Sequence, residues 1–456
     1  MPNFRSLQHF VGYQLYRASA LLARLIPLPA LFVTGKIFGL LGWMILRRRG
    51  RLAAENIAAA LGVGEVEAAR MARQHFVTLG AIVLSMLKIP SMSDGQVWQH
   101  VTFKIAPEIS QDPDPDGKGW VAALSHMSNW ELLARLSRLF PQYRFGALYQ
   151  KLANPRVNAH FNASRAAMGV RLFDRSEGFW ECAGFLESGG VIGVLSDQYA
   201  GVAGTWMPFF GRLTSTSTMA AALAQRTGTK IVPITVTTTG LARWQVSVDS
   251  ALSASGPPEI VTAAINDALE RQISQFPADW LWVHNRWKTP AFGFLLSGSG
   301  RRVFFPPSFN RSRLKPYRIL VRSVDDPEEA KLAVLAVQAV KRGRPDVQVT
   351  ILAPEALADF WRAIAGVDEV ITFRPNESSR SRARKISGAG RFEVGILLPE
   401  TREAAWEMTL AGVPRRLGAP RRAFLNYWGN PPGQSDPPSG GEERYRRIVN
   451  AAGAAF

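Results

Sequence analysis

One stretch, between Trp120 and Glu131, constrains the fold and the chemistry of the chain more than any other. An apolar run that begins at Trp120 ends just before Ser125, and His126 follows. A short apolar run predicts a buried strand, and open sheets bind their ligands beyond the carboxyl ends of such strands. Glu131 comes five residues after the histidine, at the start of a predicted helix. We expect its carboxylate to hold one nitrogen of the His126 ring, which leaves the other nitrogen as a base.

The predicted helix that follows also allows a plainer explanation. Its apolar stripe consists of Leu132, Leu133, Leu136 and Leu139. Ser128 and Asn129 are residue types that cap helix N-termini. A negative charge at Glu131 suits the first turn of any helix, whatever its neighbours do. The pattern alone therefore leaves open that His126 is a loop histidine without a chemical role.

Composition narrows the class of protein and of partner. The 456 residues exceed one typical domain, and 47 % hydrophobic with 20 % charged residues is a globular composition. The net charge of +18 indicates an anionic partner: nucleic acid, an acidic membrane surface, a phosphorylated lipid or an acidic carrier protein. Because Cys182 is the single cysteine, an intramolecular disulfide and a thiolate metal cluster are excluded. The sequence has no Gly-x-Gly-x-x-Gly, no Walker-type phosphate loop and no His-Glu-x-x-His.

A hydrophobic segment near the N-terminus, residues 25–46, is long enough to cross a bilayer. Lys36 interrupts it, as do Pro27 and Pro29, and a lysine in mid-span is costly in lipid. A pair of hydrophobic helices in the interface therefore competes with a true span, and a buried helix hairpin of a soluble protein is the third alternative. Four arginines follow and favour the anionic cytoplasmic leaflet: Arg47, Arg48, Arg49 and Arg51. We expect residues 1–50 to form a hydrophobic membrane anchor.

Strands alternate with helices through residues 51–295, which predicts an α/β layer fold. A buried strand at 191–195 is followed by Asp197-Gln198, so polar residues again lie at the carboxyl end of a strand. The stretch from Trp280 to Lys288 closes this unit, and its aromatic and cationic residues suit a lipid–water interface.

The rest of the chain predicts a second unit. Residues 296–316 are rich in Ser, Gly, Pro and Arg and are predicted to be a linker. Strand and helix patterns resume at 317–428 and indicate a second α/β unit. Residues 429–456 are predicted to be a Pro/Gly-rich tail with a short basic helix.

The His126-x-x-x-x-Glu131 pattern resembles the His-x4-Asp/Glu signature of glycerolipid and lipid A acyltransferases. Further segments in matching order resemble the late lipid A (lauroyl/myristoyl) acyltransferases: Tyr149, Asn154-Pro155, Arg165, Gly169, Leu195 to Gln198, Pro208 to Arg212, Gly228 to Pro233, and Trp282-x-His284-x-Arg286-Trp287-Lys288. The similarity covers about residues 10–290 and is specific in combination. It implies a mixed sheet covered by helices, of the glycerolipid-acyltransferase type, behind an N-terminal hydrophobic helical anchor.

The resemblance implies roles for the site residues. His126 would act as the general base, oriented by Glu131, for acyl transfer from a thioester to a hydroxyl. Arg165 is the candidate cation for a donor phosphate or the oxyanion, with a surface helix charge as its alternative. Asp197, Gln198 and Arg212 are expected on the substrate side, where Asp197 either orients the site or makes a structural hydrogen bond. No metal and no cofactor is implied beyond acyl carrier protein or coenzyme A as carrier of the acyl group.

The second unit has a separate resemblance, to the N-terminal half of the ADP-heptose transferases of lipopolysaccharide core assembly. Matching segments are Arg318 to Leu335, Arg342-x-x-Pro345-Asp346, Gly366 to Ile371, and Leu410-Ala-Gly412-Val413-Pro414-x-Arg416-x-Gly418. This resemblance implies that residues 317–428 form a Rossmann-like domain, half of a GT-B-type fold. Pro327-Glu328 stand where that family has Gly-Asp. This departure argues against glycosyl transfer and favours an acceptor-binding or docking module, or a remnant.

Three functions compete on this sequence. The first is a membrane-bound acyltransferase of late lipid A assembly, whose acceptor could instead be another glycolipid or a lysophospholipid. The second is a lipopolysaccharide-core glycosyltransferase with an inert N-terminal domain, and the third is a basic module that binds anionic lipid or nucleic acid. The His126/Glu131 pair favours the first. We expect anionic membrane lipid, a phosphorylated glycolipid and an acidic acyl carrier protein as partners, no nucleic acid, and a location on the cytoplasmic face of a bacterial inner membrane.

Overall fold

The protein is described by a computed structural model covering residues 4–111, 117–175, 178–290, 293–418, 427–428 and 441–455. It divides into two compact units. The first comprises Met1–Phe210 and Thr214–Trp287, and the second comprises Gly211–Leu213 and Lys288–Phe456. The boundary between them therefore lies ahead of the predicted linker at 296–316.

The first unit is built from helices and strands that alternate after an all-helical beginning. Its helices are α1 (Phe4–Leu25), α2 (Leu28–Ile45), α3 (Arg47–Leu61), α4 (Glu65–Lys88), α5 (Asp94–Trp98), α6 (Pro107–Gln111), α7 (Leu136–Leu139), α8 (Pro155–Ala167), α9 (Phe179–Glu187), α10 (Met219–Thr227) and α11 (Pro258–Gln275). Its strands are β1 (Val101–Ile105), β2 (Trp120–Leu124), β3 (Arg144–Tyr149), β4 (Arg171–Asp174), β5 (Gly190–Leu195), β6 (Thr205–Phe209), β7 (Arg212–Thr216), β8 (Lys230–Gly240) and β9 (Arg243–Val248). The first two residues of β7 group with the second unit.

Within the described residues, seven strands form one sheet in the order β1-β9-β8-β2-β5-β3-β4, while β6 and β7 pair separately. The pairing of β8 with β9 is antiparallel. Strand β2 lies between β8 and β5 and is parallel to both. The sheet is therefore mixed, as predicted, and the carboxyl ends of β2 and β5 meet at one edge.

The N-terminal helices carry an unusual amount of exposed apolar surface. In the described part of the chain, α2 is the single helix long and apolar enough to cross a bilayer. We call the exposed apolar side chains of α1 and α2 the anchor surface: Leu7, Phe10, Val11, Leu15, Leu21, Leu22, Leu25, Val33, Ile37, Phe38, Leu41, Met44 and Ile45. Exposure on this scale marks an interaction site, since water-facing helices rarely collect large apolar side chains.

Glycines let α2 and α4 pack with their backbones in contact. Gly35 and Gly39 of α2 lie against Gly80 and Phe76 of α4, and a Cβ on Gly39 would collide with the Phe76 carbonyl oxygen. Small residues four apart on one helix face allow such close approach. The helix with the membrane-type composition is thereby fixed to α4, which packs into the core of this unit through Ala68, Ala72 and Phe76.

The second unit is a parallel sheet with helices. Its helices are α12 (Pro327–Arg342), α13 (Ala358–Ala363), α14 (Ser379–Gly388), α15 (Arg402–Leu410) and α16 (Glu442–Ala451), and its strands are β10 (Tyr317–Arg322), β11 (Val347–Pro354), β12 (Glu369–Phe373), β13 (Val394–Leu397), β14 (Arg416–Gly418) and β15 (Tyr427–Trp428). In the described residues the strand order is β12-β11-β10-β13-β14-β15, with parallel pairing throughout. This is the strand order of Rossmann-like folds, as predicted.

The end of the segment predicted to belong to the first unit, residues 51–295, and part of the predicted tail contribute to the second core. Phe294 and Leu295 are buried in it, as are Tyr445 and Ile448 of α16. Helix α16 includes the basic helix expected in the tail, whereas residues 429–440 lie outside the described residues. The core of the second unit therefore includes residues that come before the sheet in the sequence and residues that come after it.

The close contact of α2 with α4 predicts an unequal effect of two alanine substitutions. Gly39→Ala should lower the thermal unfolding temperature, because its methyl group must force the helices apart, and overpacking costs ~1–3 kcal/mol. Gly42→Ala, on the same helix, meets only the Phe76 Cδ1 at 3.8 Å and should be neutral or stabilising. Thermal unfolding in detergent measures both, and equal shifts would contradict the proposed contact.

Candidate active site

His126 stands where the sequence predicts, beyond the carboxyl end of β2. Its side chain is 14 % exposed, and that of Asp197, which follows β5, is 1 % exposed. Because β2 and β5 are neighbours in the sheet, the loops after them meet. The two side chains come together there although they are far apart in the sequence.

Asp197 binds both the ring and the backbone of His126. Its Oδ1 is 2.7 Å from His126 Nδ1, and its Oδ2 accepts the backbone N–H of His126 at 2.8 Å. A third donor, the indole N–H of Trp280, reaches the same Oδ2 at 2.7 Å. The buried carboxylate therefore accepts hydrogen bonds from three groups and has a fixed orientation.

The electrostatics of this pair follow from burial and charge together. Burial opposes ionisation of Asp197, but the imidazole and the hydrogen bonds from His126 and Trp280 outweigh it and lower its pKa to about 2. Burial alone would lower the pKa of His126, but the charge and hydrogen bond of Asp197, with a smaller effect of Glu131, leave it raised. Asp197 is thus ionised at neutral pH and favours the proton on its partner.

The hydrogen bonds also indicate the tautomer of the neutral ring. An ionised Asp197 can only accept, so Nδ1 carries the hydrogen. The side-chain amide of Gln198 lies 3.2 Å from His126 Nε2 and donates to it. The lone pair of Nε2 is therefore the basic position of the ring, which is the arrangement a general base requires.

The structure corrects the predicted partner of His126. Glu131 lies in a 3₁₀-helix, Trp130–Arg135, and its carboxylate binds the guanidinium of Arg165 instead of the imidazole. Two hydrogen bonds join them, Nε to Oε2 at 3.2 Å and the terminal nitrogen to Oε1 at 2.6 Å. Asp197 already occupies Nδ1, so Glu131 acts on His126 by its charge alone.

The predicted caps are wrong as well. Asn129 is the N-cap residue of the 3₁₀-helix but makes no side-chain cap hydrogen bond. Ser128 has a φ of 45°, and its hydroxyl binds that of Thr238 at 2.7 Å. The left-handed residue turns the chain sharply after the histidine, and a tight 3₁₀-turn follows in place of the expected α-helix.

A cavity of about 580 Å³ opens beside the pair. His126, Glu131, Arg165 and Gln198 line it together with apolar side chains, which include Leu124, Leu133, Leu136, Phe145, Leu148, Val191, Val194 and Ile234. Apolar walls with a few converging polar groups are typical of sites for small organic ligands. The cavity can hold a hydrocarbon chain against the sheet with its reacting end near His126.

Arg212 is placed elsewhere. It groups with the second unit, where it binds the Glu393 carboxylate at 3.1 Å, and it is absent from the described residues that line the cavity. The structure thus brings together five of the six predicted site residues and leaves this one apart. In the described residues, no group of three or more His, Cys, Asp or Glu side chains is suited to a metal ion.

The tryptophans of the closing aromatic stretch, predicted to suit a lipid–water interface, are buried instead. Trp280, Trp282 and Trp287 are buried, and so is Arg286, whose guanidinium binds the Ser215 carbonyl at 2.6 Å. These residues lie in the core and not at a lipid–water interface. No local signal identifies Trp280, because a buried N–H needs an acceptor and this one, Asp197, is 83 residues away in the sequence.

Comparison with known proteins identifies the family of the chain. The model of the bacterial lipid A biosynthesis acyltransferases matches residues 1–289, which include every residue of the cavity. The chain belongs to this family. The match covers the first unit and leaves most of the second outside it.

The chain is also similar to an acyltransferase from a mycobacterium. The chain is 24 % identical over 206 residues to the phosphatidylinositol mannoside acyltransferase of Mycolicibacterium smegmatis, which covers 44 % of this chain and 66 % of that protein. The alignment thus spans just under two thirds of the relative.

Two solved structures show weaker similarity. One is the ADP-heptose lipopolysaccharide heptosyltransferase II of E. coli, with 20 % identity, 22 % of this chain and 30 % of that chain covered, and a TM-score of 0.21. The other is a glycosyl transferase family 9 protein of Veillonella parvula, with 16 % identity, 31 % and 42 % covered, and a TM-score of 0.28. The chain spans less than half of either structure.

Because Asp197, and not Glu131, binds His126, the two carboxylates should affect the pKa of His126 unequally. Asp197→Asn removes the charge that raises the pKa of His126, so burial then dominates and the pKa should fall below the ordinary value of about 6.5. Glu131→Gln removes only a more distant charge and should lower the pKa by less. The rate at which diethyl pyrocarbonate modifies His126, followed by peptide mass spectrometry across pH, measures both. A larger fall in Glu131→Gln would reverse the assignment of the two carboxylates.

Proposed function

We propose that the protein transfers a fatty acyl chain from a thioester donor to a hydroxyl group of a glycolipid, with His126 as the general base. The observation that carries the proposal is the basic Nε2 of His126, held by a buried carboxylate beside an apolar cavity. Membership of an acyltransferase family supports it.

The proposed reaction steps follow from the tautomer of His126, which carries its hydrogen on Nδ1 and leaves Nε2 free to accept a proton. His126 Nε2 removes the proton of the acceptor hydroxyl as its oxygen attacks the thioester carbonyl. Asp197 stabilises the imidazolium that forms, as the carboxylate of a catalytic triad does. When the tetrahedral intermediate collapses, the C–S bond breaks and the thiol leaves with the proton from Nε2. The base is thereby restored without a covalent acyl-enzyme.

Gln198 and Arg165 are the proposed donors to the substrate. The Gln198 amide occupies Nε2 at 3.2 Å, so it must turn away when the acceptor hydroxyl binds. A displaced amide N–H close to the reacting carbon is suited to the oxyanion. The guanidinium of Arg165 is held by Glu131 in the cavity wall and offers a fixed positive charge to a phosphate or to the oxyanion.

The apolar part of the cavity is the proposed site of the acyl chain. Its walls come from β2, β3 and β5, so the chain would lie against the sheet with the thioester at the carboxyl ends of the strands. Acyl carrier protein and coenzyme A remain alternative donors, because both present the chain as a thioester. A lipid A precursor is the acceptor favoured by the family, and a lysophospholipid is the alternative.

The mass of lipid A from cells with and without the protein tests the acceptor. A loss equal to one acyl chain in cells that lack the protein would support a lipid A precursor. Unchanged lipid A together with an altered glycolipid or phospholipid fraction would favour the alternatives.

We propose attachment to the cytoplasmic face of the inner membrane through the anchor surface. The apolar side chains of α1 and α2 would enter the acyl region of one leaflet, while arginines at the start of α3 would contact anionic head groups. The substrates of the reaction are themselves lipids, so this location would bring them to the cavity.

The role of His126 predicts the effect of its removal. His126→Ala should reduce acyl transfer by about 10²–10⁴-fold, the usual contribution of a general base, with an unchanged circular dichroism spectrum. His100→Gln is the matched control, because this histidine binds the Ala242 carbonyl and does not line the cavity. Transfer of radiolabelled acyl chain by the purified variants provides the measurement. Near-native rates in His126→Ala would refute the mechanism.

The anchor surface predicts a defect in membrane binding. Ile37→Glu combined with Phe38→Glu places two charges on this surface and should weaken binding to anionic vesicles by about tenfold or more, because each apolar side chain contributes roughly 1.5–3 kcal/mol when buried. Val66→Glu, on an exposed valine of α4, should bind like the native protein. Flotation with vesicles measures the bound fraction. Release of the native protein by salt alone would instead indicate attachment by charge.

A further inference from the structure

A segment from Pro277 to His284 lies directly behind the His126–Asp197 pair, and we call it the positioning segment. Three of its hydrogen bonds reach the residues at the pair. The Trp280 indole donates to Asp197, the Leu281 N–H donates to the His126 carbonyl at 3.2 Å, and the Asp279 carbonyl accepts from the N–H of Ser128 at 2.9 Å. The segment therefore binds both loops of the proposed active site.

On its other side the same segment is tied to α3 and α4. The Asn56 amide donates to the carbonyls of Trp282 at 3.0 Å and His284 at 3.1 Å. His75 Nδ1 lies 3.2 Å from the Ala278 carbonyl, and burial lowers the pKa of this ring to about 4. His75 is therefore neutral at physiological pH, and its Nδ1–H donates to this carbonyl.

We infer that Trp280 is a positioning residue, which sets the orientation of Asp197 and the proton affinity of the pair. The inference rests on the proposed function, which makes His126 the base. Trp280 and the backbone N–H of His126 both bind Oδ2, so Oδ1 is left for the imidazole. Without the indole donor, Asp197 would hold more negative charge toward the ring.

An indole is suited to this task. Its N–H can only donate, so it stabilises the carboxylate and cannot reverse the hydrogen bond. The ring is fully buried and packs edge-on against Trp282 with centroids 4.5 Å apart. Asn56 and His75 fix the backbone on which it is carried. The position of Asp197 is thereby set by the core and does not depend on bound substrate.

Other ionisable groups face the pair or the segment behind it. The charge of Glu131 acts on His126, and Arg286 interacts electrostatically with Asp197. The others are Arg165 in the cavity wall, Asp279 and His284 in the positioning segment, and His75 on α4. Replacement of Trp280 by an apolar ring changes none of these groups. A changed pKa of His126 would therefore report the lost indole donor.

The test compares two ways of removing one N–H. Trp280→Phe removes the donor and part of the ring, and benzothienylalanine at position 280 replaces the N–H by sulfur and keeps the shape. Trp287→Phe is the control, because this buried indole donates to the Phe209 carbonyl in the same aromatic cluster. In the full-length protein, modification of His126 by diethyl pyrocarbonate across pH gives its pKa, and acyl-transfer assays give kcat and KM.

Loss of the indole donor should raise the pKa of His126 by about one unit, since a carboxylate that loses a hydrogen bond attracts the proton more strongly. The activity at neutral pH should fall by about tenfold in kcat with little change in KM. Trp287→Phe should leave the pKa unchanged. An unchanged pKa in the benzothienylalanine protein would overturn the inference, even if Trp280→Phe fails to fold. If no variant and no native protein transfers acyl groups, the proposed function fails, but the pKa comparison still decides the role of Trp280.

Discussion

The buried carboxylate of Asp197 is the group on which the rest of the site depends. An ionised carboxylate with 1 % exposure is stable only when hydrogen bonds replace water, and here the ring and backbone of His126 and the indole of Trp280 supply them. These donors come from two separate parts of the chain. The order β8-β2-β5 brings the loop after β2 beside the loop after β5, and the positioning segment closes over both. The strand order and the positioning segment together therefore assemble the site.

The carboxylates of Asp197 and Glu131 both lie near His126 but have different partners because their surroundings differ. Asp197 is buried, which opposes its ionisation, but the charge of His126 and the hydrogen bonds from His126 and Trp280 lower its pKa to about 2, so it is ionised at neutral pH. The Glu131 side chain is 20 % exposed and its charge is matched by Arg165. A spacing of five residues cannot distinguish these arrangements, because it fixes the distance between two backbones and not the direction of a side chain. The 3₁₀-turn after Ser128 decides that direction, and it directs Glu131 toward α8.

Local patterns were sufficient to predict several buried strands, the α/β fold and the position of His126, because a buried strand with polar residues at its carboxyl end has a recognisable sequence. That the sheet is mixed was implied only by the family resemblance. The same reasoning placed Asp197 and Gln198 at the correct edge. The partner of His126 could not be predicted in this way, since it lies 71 residues away and depends on which strands are neighbours. The stretch from Trp280 to Lys288 was misread for a related reason. Aromatic side chains with interleaved cations suit an interface and a core alike, and only the complete fold provides the acceptors that bury Trp280 and Arg286.

His75 and His126 show how the hydrogen-bond partner of a buried histidine affects its pKa. His75 and His126 are both enclosed, and burial lowers the pKa of each. His75 has a backbone carbonyl as its partner, and its pKa falls to about 4, so it cannot hold a proton near neutral pH. His126 has a carboxylate, which more than offsets burial and leaves the pKa raised. Of these two rings, only that of His126 has a partner that favours its protonated form. The chemical capacity of the site therefore comes from the pairing with Asp197, and a buried histidine without such a partner is a structural donor.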